Sequence, residues 1–88
     1  MKLERKLDEI LRENELYTDF INVYEKDTKY PFKAVEIQIN GDWKHEHLRL
    51  DYIMKKLGYI FLNKEVIGDS DGDWYVGKHL YTKLEQGW

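Results

Sequence analysis

Cysteine is absent from this chain of 88 residues, which excludes disulfides, thiolate metal ligands and cysteine nucleophiles. Long apolar runs are absent too, since the longest is Tyr59–Leu62, far short of the roughly 20 residues of a membrane-spanning helix. The first residues, Met1–Lys6, lack the apolar centre of a signal peptide. These absences predict a location in the cytoplasm and no contact with a membrane.

The net charge is small as well. It is -3, although 35% of the residues are charged and 42% are hydrophobic. This balance gives neither a basic surface for nucleic acids nor the dense negative charge that would imitate a nucleic-acid backbone. It is typical of a folded globular protein, and the length predicts one small domain over residues 1–88.

Glycine-rich phosphate loops and the common hydrolase and zinc-protease motifs are also missing. The segment closest to a known site is Gly68–Tyr75, GDSDGDWY, which has three carboxylates at alternate positions. A helix-loop-helix calcium loop needs glycine at its sixth position and glutamate at its twelfth. Counted from Asp69, these positions are Trp74 and Leu80, so a calcium site is not expected.

The same segment fits a hairpin turn better. Asp71–Gly72 is a preferred pair for a two-residue turn in which both residues need positive φ. This turn places Glu65 opposite Lys78, which gives opposite charges across the two strands. The flanking sequences are also typical of strands rather than helices.

The three histidines do not suggest a site. His45 and His47 lie two residues apart on a predicted helix and project about 200° from each other, so they cannot hold the same ion. His79 falls on the last predicted strand and is interpreted as an ordinary strand residue. We therefore expect no catalytic residue, no metal ion and no cofactor, and we expect that the protein is not an enzyme.

Apolar periodicity predicts an α+β fold. The predicted elements are a helix over about 2–14, strands over 17–24 and 32–39, a helix over about 43–57, and strands over 59–67 and 73–84. Asp42 is expected to cap the second helix, and Gly58 to end it in a left-handed conformation. The order α-β-β-α-β-β predicts a four-stranded, mainly antiparallel sheet with both helices packed on one face.

A short similarity links the two halves of the chain. Lys6–Leu11 and Arg49–Met54 match in residue type at five of six positions. Two αββ halves related by an internal repeat would explain this match, but six residues of an amphipathic helix also match by chance. Both explanations stay open.

The second helix has apolar residues on two sides. Its predicted inward face consists of Trp43, Leu50, Ile53, Met54 and Leu57. The opposite side carries Leu48 and Tyr52, one turn apart, beside the basic residues Lys55 and Lys56. Isolated apolar residues are common on protein surfaces, but an adjacent pair with basic neighbours is also typical of the centre of a protein interface.

The last hairpin is apolar on both faces. The predicted faces are Tyr59, Phe61, Ile67, Val76, Leu80 and Leu84 on one side, and Ile60, Leu62, Val66, Tyr75 and Tyr81 on the other. Two helices cover only one face of a four-stranded sheet. The other face is therefore expected to contact a partner or a second copy of the chain, or to form an exposed aromatic surface that stacks single-stranded bases.

These surfaces predict a non-enzymatic protein-binding domain. The predicted contact residues are Leu48, Tyr52, Lys55, Lys56, Trp74, Tyr75 and Tyr81. The expected partner is another protein, with a homodimer as one form of this and single-stranded nucleic acid as the alternative. In size, acidity and lack of cysteine the chain resembles the small phage or mobile-element proteins that block host enzymes, including anti-CRISPR proteins. The resemblance implies an inhibitor that acts by occupying a surface of its partner.

Overall fold

The fold is given by a computed structural model that describes residues 2–26, 28–68 and 72–83. Two helices and four strands follow one another in the predicted order α-β-β-α-β-β, so the α+β fold is confirmed. The elements are α1 (Lys2–Glu13), β1 (Phe20–Glu25), β2 (Lys33–Asp42), a π-helical turn (Trp43–His47) that continues as α2 (Leu48–Lys56), β3 (Tyr59–Val66) and β4 (Trp74–Lys83). Within the described residues no helix has the length and apolar content needed to cross a membrane.

The four strands form one antiparallel sheet in the order β1-β2-β4-β3. Glu65 lies opposite Lys78, as the hairpin register predicted, and their charged groups are 3.4 Å apart. The predicted turn at Asp71–Gly72 lies partly outside the described residues. Of this pair the structure describes Gly72, which has a φ of +69°. The sheet order makes β1 and β3 the two edge strands.

Both helices pack on one face of the sheet because each has one apolar stripe and alternate strand residues point to the same side. The core between them contains Leu7, Leu11, Leu16, Val35, Ile37, Ile39, Leu50, Met54, Tyr59 and Tyr81. Burial of these side chains provides the main stabilisation of the domain.

The second helix begins differently from the prediction. Asp42 does cap it, since its carboxylate accepts hydrogen bonds from the backbone N–H groups of Lys44 and His45 at 2.7 and 3.2 Å. The first turn is a π-helix, whose wider turn changes the direction of the residues before Leu48. The prediction that Trp43 points inward is therefore wrong, and its side chain is exposed. Gly58 ends the helix with a φ of +94°, as predicted.

A β-bulge in β3 changes the predicted faces of the last hairpin. Phe61 pairs with Tyr81 and Asn63 pairs with Leu80, so Leu62 is an extra residue. Before the bulge, Tyr59 and Phe61 share the helix-covered face with Tyr81. The prediction that placed them on the face opposite Tyr81 is wrong, because an inserted residue reverses the alternation and period-two counting cannot detect it.

Part of the second sheet face is covered by the chain itself. Ala34 and Glu36 point to that face, yet each is only 2% exposed. The hydroxyls of Tyr30, after β1, and Tyr24, on β1, donate hydrogen bonds of 2.8 and 2.9 Å to the Glu36 carboxylate. The expectation that a second molecule or open solvent must meet this whole face is thus wrong for the part around Ala34 and Glu36.

Candidate functional site

The exposed apolar side chains are concentrated at the free edge of the sheet, along β3. Five exposed apolar side chains lie on β3 or directly after it, and each is between 41% and 55% exposed: Ile60, Phe61, Leu62, Val66 and Ile67. Edge strands in folded domains usually carry charged residues that prevent pairing with other chains. At the other edge, β1 has no strongly exposed apolar side chain, so the two edges differ.

The outer side of α2 adds to this surface. Leu48 and Tyr52 are exposed, as are Lys55 and Lys56, so these four predicted contact residues lie at the surface. The Lys56 ammonium lies 5.1 Å from the centre of the Tyr52 ring, close enough for a cation–π contact. Of the predicted hairpin residues, Trp74 is exposed too.

Two predicted contact residues lie in the interior instead. Tyr75 and Tyr81 are 7% and 1% exposed, because both point to the helix-covered face of β4. Burial and a hydrogen bond to Asp51 raise the pKa of the Tyr81 hydroxyl well above its usual range. These two tyrosines cannot contact a partner at the surface of this fold, and the sequence-based prediction for them is corrected here.

Contacts on either side of α2 show which way its exposed residues face. On one side the Arg49 guanidinium donates a hydrogen bond to the backbone carbonyl of Asn14, directly after α1. On the other side Asp51 reaches His79 of β4. Leu48 and Lys55 lie three residues before and four residues after Asp51, so they share its side of the helix. That side is turned away from α1, toward β3, which α2 contacts. We call the exposed residues Leu48, Tyr52, Lys55, Ile60, Phe61, Leu62, Val66 and Ile67 the edge surface.

The exposed charges on the second helix are positive. Both acidic residues in the second helix turn inward: Glu46 accepts a hydrogen bond from the Asp42 backbone N–H at 2.8 Å, and Asp51 accepts from β4. The charged residues of this helix that remain exposed are all basic: Lys44, Arg49, Lys55 and Lys56. The outer side of the second helix is therefore a basic surface with apolar residues within it.

A shallow groove lies at the far end of β3. Lys64 spans it, with its ammonium 4.2 Å from the centre of the Trp43 ring and 2.6 Å from the Tyr75 hydroxyl. Val66 and Asp73 complete its walls. Because Lys64 already has two contacts within the chain, the groove is an extension of the edge surface rather than an open cation or anion site.

Beneath the edge surface lies a chain of buried polar groups. Nδ1 of His47 is 2.8 Å from Nε2 of His79, and both rings are fully buried. Nδ1 of His79 lies 2.9 Å from a carboxylate oxygen of Asp51, which also accepts a hydrogen bond from Tyr81. At the other end, Nε2 of His47 lies 3.2 Å from the backbone carbonyl of Tyr75. All four ring nitrogens thus have partners within the protein.

The pKa shifts of His47 and Asp51 are consistent with a structural role for these buried polar groups. Burial holds the pKa of His47 below its ordinary value despite the hydrogen bond to the Tyr75 carbonyl. Burial opposes ionisation of Asp51, but hydrogen bonds from His79 and Tyr81 outweigh it and lower the pKa of this carboxyl. A general base must reach the proton that it removes, and neither buried ring has a nitrogen free to contact a substrate in this fold.

Sequence reasoning missed this network, although a signal for it exists. His47 and Asp51 are four residues apart, so they lie on the same side of the helix and next to its apolar stripe. His79 and Tyr81 alternate on one strand with Tyr75, so they share a sheet face. Polar residues that share the buried faces of two packed elements must pair with each other. Within residues 2–26, 28–68 and 72–83 no group of three or more potential ligands could hold a metal ion.

In comparisons with known proteins, the chain matches no protein family, no curated protein and no solved structure.

Proposed function

We propose that this protein is a non-enzymatic protein-binding domain that uses the edge surface and the adjoining Trp74. The observation that carries the proposal is the set of five exposed apolar side chains on β3 and directly after it, together with exposed Leu48 and Tyr52 of α2, the helix that contacts this strand. Contiguous apolar surface with a polar border is typical of protein interfaces. The basic residues Lys55 and Lys56 provide such a border.

The chemistry of this surface favours a protein over single-stranded nucleic acid. Base stacking needs exposed aromatic rings on a basic surface. Most of the exposed β3 side chains are aliphatic, and the two tyrosines that would form a stacking platform, Tyr75 and Tyr81, are buried. Aliphatic side chains instead favour the apolar side chains of another protein.

The mechanism that follows is occupation of a partner's surface. The buried histidines have all their nitrogens engaged, and the exposed groups are suited to binding. An inhibitor of the kind seen among small phage or mobile-element proteins would work in this way, by covering a site on its target. A chain without cysteine is compatible with action in the cytoplasm.

The test is capture of a partner that depends on the predicted contact residues. The tagged protein and its Leu48→Ser/Tyr52→Ser variant are incubated with cell lysate, and the bound proteins are identified by mass spectrometry. Tyr17→Ser is the matched control, because Tyr17 is an exposed aromatic residue outside the edge surface. A true partner is captured by the wild type and the control, is lost with the double variant, and binds again when both proteins are purified.

The proposal fails if every captured protein binds the double variant as well as the wild type. It also fails if short single-stranded oligonucleotides quench the tryptophan fluorescence in a salt-dependent way while no protein is captured, since the alternative function then applies. Circular dichroism of each variant shows whether a lost interaction reflects a lost fold.

A further inference from the structure

A groove lies between the start of α1 and the end of α2. Its volume is about 160 Å³, and its walls include four apolar residues and two lysines: Leu3, Lys6, Ile10, Leu57, Tyr59 and Lys83. A cavity of about 150 Å³ accommodates a group the size of benzene, so this groove has room for one apolar side chain of a partner. We call it the lysine groove.

Three lysines surround the lysine groove. Lys6 and Lys83 line it, and the Lys83 ammonium lies 5.0 Å from the centre of the Tyr59 ring. Lys56 follows Arg49 by about two helical turns, and Arg49 reaches the backbone carbonyl at the end of α1, so both side chains lie on the side of α2 that faces α1. All three lysines are exposed. The groove is therefore apolar inside and positive at its rim.

These three lysines have no counterion within the described part of the chain, where none of them forms an ion pair with a carboxylate. Other lysines of the protein do form such pairs, for example Lys33 with Glu25 at 3.6 Å. Like charges without counterions create a local positive potential even though the net charge of the protein is -3. This potential attracts a negatively charged group.

The acidic residues of α1 do not face the lysine groove. Glu4 and Asp8 line a different groove, against β1. Arg5 and Glu9 lie one turn apart on the outer side of α1, where their charges offset each other. The positive rim is thus not neutralised by the neighbouring helix.

The shape of the lysine groove favours a protein segment over a membrane or a nucleic acid. Leu3, Ile10 and Leu57 are half-buried and Tyr59 is 8% exposed, so these side chains are recessed. Recessed side chains cannot insert into a bilayer, and a buried ring cannot stack on a base. A recessed apolar groove with a positive rim instead accommodates an apolar side chain that has carboxylates on either side.

The groove is also continuous with the outer side of α2. The Lys56 ammonium at its rim lies 5.1 Å from the centre of the exposed Tyr52 ring. Exposed Leu48 lies one turn before Tyr52. A segment bound in the groove would therefore extend the contact that these two residues make with the same partner.

We propose that the lysine groove binds an acidic segment of the partner protein. An apolar side chain of the segment enters the groove, and the carboxylates beside it pair with Lys6, Lys56 and Lys83. This inference rests on the proposed protein-binding function and specifies the chemistry of the partner.

The probe is a short synthetic peptide with one leucine between two pairs of glutamates. One control peptide has lysine in place of each glutamate, and a second has serine in place of the leucine. Binding is followed by NMR of protein with labelled isoleucine and leucine methyl groups. The acidic peptide should shift the methyl signals of Ile10 and Leu57 but not that of Ile67, which is exposed beyond the far end of β3. The serine peptide should bind at least about fivefold more weakly, because it buries no apolar side chain.

Charge reversal tests the rim. In Lys6→Glu/Lys56→Glu the affinity for the acidic peptide should fall by about tenfold or more. Lys26→Glu/Lys44→Glu is the matched control, because it changes the net charge by the same amount at two exposed lysines outside the groove. Its affinity should stay within about twofold of the wild type, since exposed charges beyond about 10 Å are largely screened at 0.1 M salt.

The inference is wrong if the acidic peptide leaves Ile10 and Leu57 unshifted, if the lysine peptide binds equally well, or if both double variants lose the same affinity. It is also wrong if the acidic peptide has no effect while vesicles of anionic lipid or single-stranded oligonucleotides shift these methyl signals, since the groove then binds a membrane or a nucleic acid.

The captured partner separates this inference from the function on which it rests. A partner that depends on Leu48 and Tyr52 but binds Lys6→Glu/Lys56→Glu as well as the wild type would contradict the acidic segment alone. If no captured protein depends on Leu48 and Tyr52, the protein-binding proposal itself fails, even where the peptide binds.

Discussion

The rings of His47 and His79 meet in the core, with Nδ1 of one 2.8 Å from Nε2 of the other. One ring comes from the turn that begins the second helix and the other from β4, so this contact joins the helix layer to the sheet. Because both rings are fully buried, water does not reach their nitrogens. The groups of the protein that contact these nitrogens therefore determine which of them carry hydrogen.

Counting donors assigns these hydrogen atoms. The Tyr75 carbonyl only accepts, so Nε2 of His47 donates to it. The ionised carboxylate of Asp51 also only accepts, so Nδ1 of His79 donates to it. The remaining contact, between the two rings, needs one more hydrogen. We therefore predict that three of the four ring nitrogens are protonated, which gives the ring pair one positive charge next to Asp51.

This count can be checked directly by NMR. In ¹⁵N-labelled protein near neutral pH, long-range proton–nitrogen correlations should show three protonated nitrogens in the His47–His79 pair and one that accepts. Exposed His45 provides the reference, because its two nitrogens should exchange freely with water. Two protonated nitrogens in the pair, as in two neutral rings, would contradict the assignment.

The stability of the fold should fall in mild acid. Burial lowers the pKa of His47 in the folded state, whereas in the unfolded chain this ring titrates near its ordinary value of 6.5. As the pH falls below that value, the unfolded chain takes up a proton that the folded protein resists, so the free energy of unfolding decreases. Since the folded ring pair is predicted to have one positive charge already, the decrease should appear in urea denaturation from about pH 6.5 to about pH 5. In His47→Gln the slope should be smaller, and in His45→Gln it should be unchanged; an equal slope in all three would contradict the prediction.

Replacing Asp51 with asparagine should cost about 2 kcal/mol of unfolding free energy, because a partly buried carboxylate that accepts two hydrogen bonds is lost. It should also remove one proton from the ring pair, since the balancing charge is gone, and the nitrogen count should fall from three to two. Asp8→Asn is the matched control. Asp8 pairs with Arg12 on the exposed side of α1, and its loss should cost about 0.5 kcal/mol or less. An unchanged nitrogen count in Asp51→Asn would contradict the charge balance.

Element types and their order could be predicted because apolar spacing alone distinguishes an amphipathic helix from a half-buried strand. The Glu65–Lys78 register followed from turn chemistry in the same way. Face assignments on β3 could not be predicted, because period-two counting does not detect the bulge at Leu62, which places Phe61 on the same face as His79 and Tyr81.

The candidate surface was predicted in part. Leu48 and Tyr52 are exposed as predicted, because the side of a helix can be read from periodicity, and Trp74 at the start of β4 is exposed as well. Tyr75 and Tyr81 could not be placed, since both faces of β4 carry apolar residues and only the packed structure shows which one the helices cover. The edge position of β3 depends on the order β1-β2-β4-β3, which local sequence does not determine.

Glu36 provides a last prediction, on the face opposite the helices. Burial opposes its ionisation, but hydrogen bonds from Tyr30, Tyr24 and Lys29 outweigh this and lower its pKa. Glu36→Gln keeps the size of the side chain but removes the charge, so it should lower the free energy of unfolding by about 2 kcal/mol in urea denaturation. Glu65→Gln is the matched control, because Glu65 also pairs with Lys78 but is exposed, and its change should cost less than about 0.5 kcal/mol. Equal effects of the two substitutions would show that the hydrogen bonds from the β1–β2 connection add nothing to the stability of the sheet.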